Sequence, residues 1–248
     1  MSRYFLEVAY KGTAYAGFQI QENANSIQSE VQKALLIFYK SNIDLTGASR
    51  TDAGVHALQN FFHFDAEDLA YNCNHLYNLN AILPDDIVIK NCYPVLETQH
   101  CRFDATARSY EYKIYNTKNP FLKETAFFYP YPLDVEKLNE AAKILIDYTN
   151  FTSFSKKNTQ VNNFNCNIHE SVWIQKDQLL IYNVTANRFL RGMVRGLVGT
   201  MLKVGTGKCS IQRFIEIITS LDCSKADFST PPQGLFLTRV RYPETLFK

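Results

Sequence analysis

The sequence predicts an α+β protein built from two ferredoxin-like halves, each a β-α-β-β-α-β unit with helices on one face of an antiparallel sheet. Three observations predict it. The same order of elements reads twice along the chain. The apolar spacing switches repeatedly between period 2 and a helical period. The 248 residues are 46% hydrophobic, enough for one large core or two small ones.

Arg3 to Tyr10 alternates as a strand, with Tyr4, Leu6, Val8 and Tyr10 on one face. A helix starts after Ser26 as N-cap, and Ile27, Val31, Ala34, Leu35 and Phe38 form its apolar stripe. Ile43 to Thr46 is a short strand and Asn60 to Phe64 another. Asp68 to Leu79 reads as a weaker helix that stops near Pro84, and Ile87 to Val95 closes the first half. The second half opens with a strand at Thr106 to Tyr115 and a helix at Val135 to Ile146. Ser171 to Ile174 and Gln178 to Ala186 pair around Lys176-Asp177. Phe189 to Val204 is a helix closed by Gly205-Thr206-Gly207, Ile211 to Leu221 is an additional helix, and Leu235 to Val240 is the last strand. The boundary falls at Arg102 to Thr106, giving halves 1–103 and 104–248. Ser155 to Asn167, rich in Asn and Lys, is expected to be a mobile loop.

No apolar run approaches the about 20 residues of a membrane helix, and Met1-Ser2-Arg3-Tyr4 does not lead into a signal-peptide core, so a cytoplasmic protein is expected. The six cysteines form no C-x-x-C pair, and the five histidines do not fall at zinc-ligand spacing. Reduced, mostly packing thiols and no metal are the expectation. The net charge is only +2, but Arg188, Arg191, Arg195, Lys203, Lys208 and Arg213 crowd a span free of Asp and Glu. A basic surface on an otherwise acidic chain suits a polyanion.

Three constellations can carry chemistry. The run Gly47-Ala48-Ser49-Arg50-Thr51-Asp52-Ala53-Gly54-Val55-His56 reads as a glycine-bounded loop that aims polar side chains. Asp52, two residues from Arg50, suits a nucleophile or base; alternatively it closes an Asx-turn or caps a helix. Arg50 suits a phosphate or insertion into RNA, or else a surface ion pair of little worth. Thr51 and His56 hold the loop, with His56 as general base a second reading. On the predicted helix, Arg188, Arg191 and Arg195 recur at i, i+3 and i+7 and would share a face. Gly192, Gly196 and Gly199 would let another backbone approach. On the strand, Tyr110 sits beside Arg108 and Tyr112, as base stacking requires, though a tyrosine pair also suits a core.

In this order the segments resemble the TruA-type tRNA pseudouridine synthase family from end to end. Arg50-Thr51-Asp52-Ala53-Gly54-Val55-His56 is similar to that family's signature loop, and Tyr10-Lys11-Gly12-Thr13 through Tyr15, Gly17-Phe18-Gln19 and Gln21 to its N-terminal segment. Ala105 to Tyr110, Phe151-Thr152-Ser153-Phe154, Phe189 to Gly199 and Gly234-Leu235-Phe236-Leu237 follow in the family's order. The resemblance implies two ferredoxin-like halves flanking a central basic cleft, a homodimer, no cofactor, and tRNA as substrate, modified at positions 38–40 of the anticodon arm. It implies that Asp52 is catalytic, that Arg50 extrudes the target nucleotide, that Tyr110 stacks on the uracil, that Arg195 pairs with the aspartate and that Leu235 lines the base pocket. Arg188, Arg191 and Lys203 would bind phosphates.

The chain departs from the family at Ser49, where many relatives have glycine, at Gly192, where a bulkier residue is common, and at Asn165-Cys166-Asn167, which lacks a basic residue. Two other readings compete. A non-catalytic RNA-binding module would need neither Asp52 nor Arg195. A hydrolase using Asp52 and His56 would need a second carboxylate or a metal site.

Overall fold

The computed structural model describes residues 1–67, 75–157 and 161–247. Among them are nine strands and five α-helices, a mixed α/β protein that divides into two compact units. Unit 1 comprises Met1–Thr106 with Phe236–Lys248, and unit 2 Ala107–Leu235.

In unit 1, β1 (Ser2–Tyr10) lies between β4 (Ile87–Val95) and β3 (His56–Ala66), antiparallel to both. The short β2 (Thr46–Gly47) pairs with the other edge of β3. Ser26 caps α1 (Ile27–Tyr39) as the sequence predicts, its hydroxyl accepting from Ser29 N in a reciprocal capping box. The helix buries Ile27, Val31, Ala34 and Leu35. The second helix, α2, spans Leu76–Ile82; the earlier part of the predicted helix, with Cys73, lies outside the described residues.

Both faces of this sheet are covered, which strand alternation alone does not reveal. Tyr4, Leu6 and Val8 are buried on one side, but so are Phe5 and Glu7 on the other. The far side is closed by the C-terminal segment: Tyr242 and Phe247 pack on Phe5 and Phe61 at centroid distances of 5.2 to 6.2 Å. Glu7 tolerates burial because Gln59, Asn91 and Tyr93 donate to its carboxylate and Lys90 pairs with it. Burial pushes its pKa up, but these partners outweigh it and hold it below the ordinary glutamate value. The sequence keeps the last strand with the second half. The packing instead returns β9 (Leu235–Arg241), from Phe236 on, to unit 1, where it runs parallel to β3 with His56 opposite Phe236. Gln59, oriented by Glu7, accepts from Val240 N and locks that return.

In unit 2, β8 (Leu179–Ala186) lies between β5 (Ala107–Tyr115) and β7 (Ile168–Lys176), antiparallel to both, with the short β6 (Phe127–Phe128) parallel to β5. The helices are α3 (Val135–Ile144), α4 (Met193–Gly205) and α5 (Ile211–Thr219). The fully buried Tyr112 and Tyr182 anchor the core. The end of the segment expected to be mobile is tied down: Phe151 N donates to Phe164 O, Cys166 N to Thr149 O, and Cys166 is buried. Residues 158–160 of it lie outside the described residues.

One correction bears on the site. The sequence starts a helix at Phe189 and puts three arginines on one face. Instead, α4 starts at Met193, because Gly192 adopts φ +73°, a left-handed conformation that ends any helix running into it. Arg188 and Arg191 therefore precede the helix, and only Arg195 lies on it. Its other end is as predicted: Gly207, at φ +74°, closes it with its N–H on Val204 O.

Candidate active site

The Asp52 loop is held almost entirely through its backbone. Ala48 N donates to Phe61 O, and Asn60 donates to Ser49 O and to the Tyr10 hydroxyl. That hydroxyl meets Thr51 Oγ1 at 2.8 Å, and Phe18 N donates to Thr51 O. Asp52 itself bridges to Gly17, and Val55 N donates to Asp52 O across a turn with Gly54 at φ +76°. Positive φ at the third residue of the turn is the reason glycine stands there. A Cβ on Gly12 would lie 2.0 Å from Val55 O, so the N-terminal segment can wrap the loop only with glycine at that point.

His56 is a strut. Its Nδ1 accepts from Gly12 N at 3.0 Å, its ring lies against Phe236, and it is 1% exposed. An imidazole committed in this way does not serve as general base, so the hydrolase reading loses its second group. Thr51 is likewise structural. Ser49 Oγ is buried with no hydrogen-bond partner among the described residues.

Asp52 is different. Its side chain is half-buried and, among the described residues, accepts no hydrogen bond and forms no ion pair. It closes no Asx-turn and caps no helix, so the structural explanations open to it in sequence are not realised. Arg50 is exposed and makes no ion pair among the described residues either.

Unit 2 carries the remaining predicted residues. Tyr110 is half-buried on β5, edge-on to Phe189 with centroids 5.0 Å apart. Its neighbour on the same strand face, Tyr112, is core, donating its hydroxyl to Pro231 O. Arg108 reaches Asn187 O. Leu235 is 7% exposed at the start of β9. Arg195 donates Nε–H to Thr230 O at 2.7 Å, while its Nη groups make no hydrogen bond among the described residues.

The basic span is less free than its composition suggests. Lys203 pairs with Asp227 at 3.0 Å, Arg213 with Glu216, and Lys208 sits over the Tyr131 ring. Arg191 stays exposed; among the described residues Arg188 hydrogen-bonds Asn163, at 3.4 Å, and its N–H engages the Asn187 amide oxygen. Lys156, which sequence reasoning did not single out, lays its stem 3.0 to 3.2 Å from where a Gly192 side chain would begin. A side chain at Gly192 would displace that stem.

Sequence spacing also missed a cluster. His63, His100 and Cys101 bring their donor atoms within 4.8 Å of one another. Both imidazole Nδ1 atoms already accept backbone N–H groups, from Cys101 and Arg102, and the thiol lies 3.2 Å from Thr46 O. The cluster clasps the segment of His100 and Cys101, which follows β4, to β2 and β3. Burial is the main reason His63 sits at about 4, with His100 and Arg3 adding to the depression.

The tRNA pseudouridine synthase family model matches residues 141–243. The chain is 43% identical over its full length to tRNA pseudouridine synthase A of Parabacteroides distasonis, covering 98% of that protein. It is 43% identical to tRNA pseudouridine synthase A of Bacteroides thetaiotaomicron, over all of this chain and 93% of that one. The protein of that name in Staphylococcus aureus MRSA252 is 34% identical over 98% of this chain and 92% of its own. With relatives this similar along their whole length, and a loop that presents a carboxylate unpartnered among the described residues, the chain belongs to the tRNA pseudouridine synthase family.

Proposed function

We propose that this protein isomerises uridine to pseudouridine in the anticodon arm of tRNA, at positions 38–40, with Asp52 as the catalytic residue. The observation that supports it is the Asp52 side chain: half-buried, fixed by its backbone, and used for nothing structural. The N1–C1′ bond breaks, the uracil turns, C5 bonds to C1′, and the C5 proton is lost as N1 gains one. Nothing is added or removed overall, so no external group is consumed.

A stacked base must first leave the helix, at a cost of about a few kcal/mol. Arg50, exposed and without an ion pair among the described residues, fills the vacated space. Tyr110 stacks on the extruded uracil and Leu235 lines its pocket. Arg195 pairs with the reacting carboxylate through its Nη groups, which a carboxylate can engage in a bidentate fork. Arg188, Arg191 and Lys203 contact phosphates, so affinity falls with salt. The chain forms two ferredoxin-like halves flanking a basic cleft; what supports the first half is the order β4-β1-β3-β2 and the sequence β-α-β-β-α-β in unit 1. The protein acts as a homodimer in the cytoplasm; among the described residues no helix is long and apolar enough to cross a membrane.

The test is to incubate unmodified tRNA with the purified protein and map pseudouridine by position. Asp52→Asn should give no product while still binding tRNA. Substantial turnover by that variant overturns the assignment, and product confined to sites outside the anticodon arm overturns the choice of positions.

A further inference from the structure

Arg195 needs an orientation as well as a place, and the structure supplies one from a segment 35 residues away. Residues 227 to 232 run as a strap along α4. A Cβ on Gly199 would lie 2.3 Å from Asp227 O, and one on Gly196 would strike the Phe228 ring at 2.7 Å. The helical glycines are therefore where the strap's backbone and ring lie against the helix. Asp227 N donates to Thr200 Oγ1, and the Asp227 carboxylate pairs with Lys203. At the far end Thr230, 2% exposed, closes a reciprocal pair: its hydroxyl donates to Arg195 O at 2.8 Å, and its carbonyl accepts Arg195 Nε–H at 2.7 Å. Pro231 and Pro232 follow, so the backbone there has little freedom, and Tyr112 holds Pro231 O.

We propose that Thr230 is a positioning residue for the reaction, fixing the plane of the Arg195 guanidinium so that its two Nη groups face an anion. This rests on the reading of Arg195 as part of the site. A guanidinium is planar with five donors. Once Nε–H is committed to Thr230 O, the plane is set, and the Nη edge is left for a carboxylate or phosphate. Thr230 acts only through Arg195 and touches no substrate.

Two measurements test it. In protein labelled with ¹⁵N-arginine, the Nε–H signal that disappears in Arg195→Lys should exchange with water at least tenfold slower than those of exposed arginines, and faster in Thr230→Val. In single-turnover assays at saturating enzyme, Thr230→Val should slow conversion of tRNA about fivefold, the size expected for one hydrogen bond. Its affinity for tRNA should stay within about twofold, and Thr230→Ser should restore the rate. An unprotected Nε–H in the wild-type protein overturns the proposal, as does a wild-type rate in Thr230→Val or a Thr230→Ser as slow as the valine variant. If Thr230→Val does not fold, the exchange rate in wild type and the rate of Thr230→Ser decide. Arg195→Ala separates this from the reading beneath it. If that variant is as active as wild type, Arg195 has no part in the site; if it is inactive while Thr230→Val is normal, only the positioning role falls.

Discussion

Among the described residues no side chain engages the charged ends of Asp52 and Arg195, but the two are supported by opposite means. The Asp52 loop is clamped by backbone contacts to Gly17, Phe18 and Val55, and by the His56 imidazole accepting from Gly12 N, all close to it in sequence or in the N-terminal segment. Arg195 is clamped through its own side chain, by a strap more than 30 residues downstream. A short side chain leaves few torsions to fix, so holding its backbone suffices. A long one must be held near its tip, because each free torsion multiplies the places its charge can go.

The comparison is broken most decisively by chemistry. Asp52→Asn should lose about a thousandfold or more in pseudouridine formation, yet melt within about 2 °C of wild type, since the carboxylate holds nothing together. A large drop in melting temperature would show that Asp52 supports its loop after all. Next come the two glycines where backbones touch. Gly12→Ala and Gly199→Ala each force a Cβ into a carbonyl, at 2.0 and 2.3 Å, and should cost about 3 kcal/mol in denaturant unfolding. Equal stability in either variant would mean that the corresponding clamp gives way easily.

Acid should separate the units. His63 in unit 1 has its pKa lowered by burial from 6.5 to about 4. The unfolded chain therefore binds the extra proton between those values, and stability falls as the pH drops through that window. From pH 7 to 5 the loss is about 2 kcal/mol. Unit 2 carries His169 alone, which is exposed. At pH 5 amide protection, taken relative to the intrinsic exchange rate at each pH, should fall in β3 more than in β8, and a uniform response would contradict the assignment. The smallest effect concerns the basic span. Lys203→Ala should cost under about 1 kcal/mol and lower the salt slope of tRNA binding by well under one, because Lys203 must give up Asp227 to reach a phosphate. Arg191→Ala should lower the salt slope by about one.

Much was legible along the chain because its causes are local. The Ser26 cap, the Gly207 stop and the β1 and β4 spans follow from spacing and from a few residues' conformational preferences. The error at α4 is also local in origin. The apolar period runs unbroken through Gly192, and only the left-handed turn there shows that the helix starts later. Composition overstated the basic surface, since it cannot show that Lys203 and Arg213 have found carboxylates.

By itself, the sequence determined most of the elements, though not the start of α4, together with the membership of the family and the candidacy of Asp52, all of which depend on residue type and order. The tertiary structure alone decided that Asp52 has no structural duty, that His56 is a strut, that Phe236 onward completes unit 1, and that Thr230 holds Arg195. Those facts rest on contacts between residues far apart in the chain. Hydrogen-bond satisfaction and close packing select such partners in space, and no period or spacing records them.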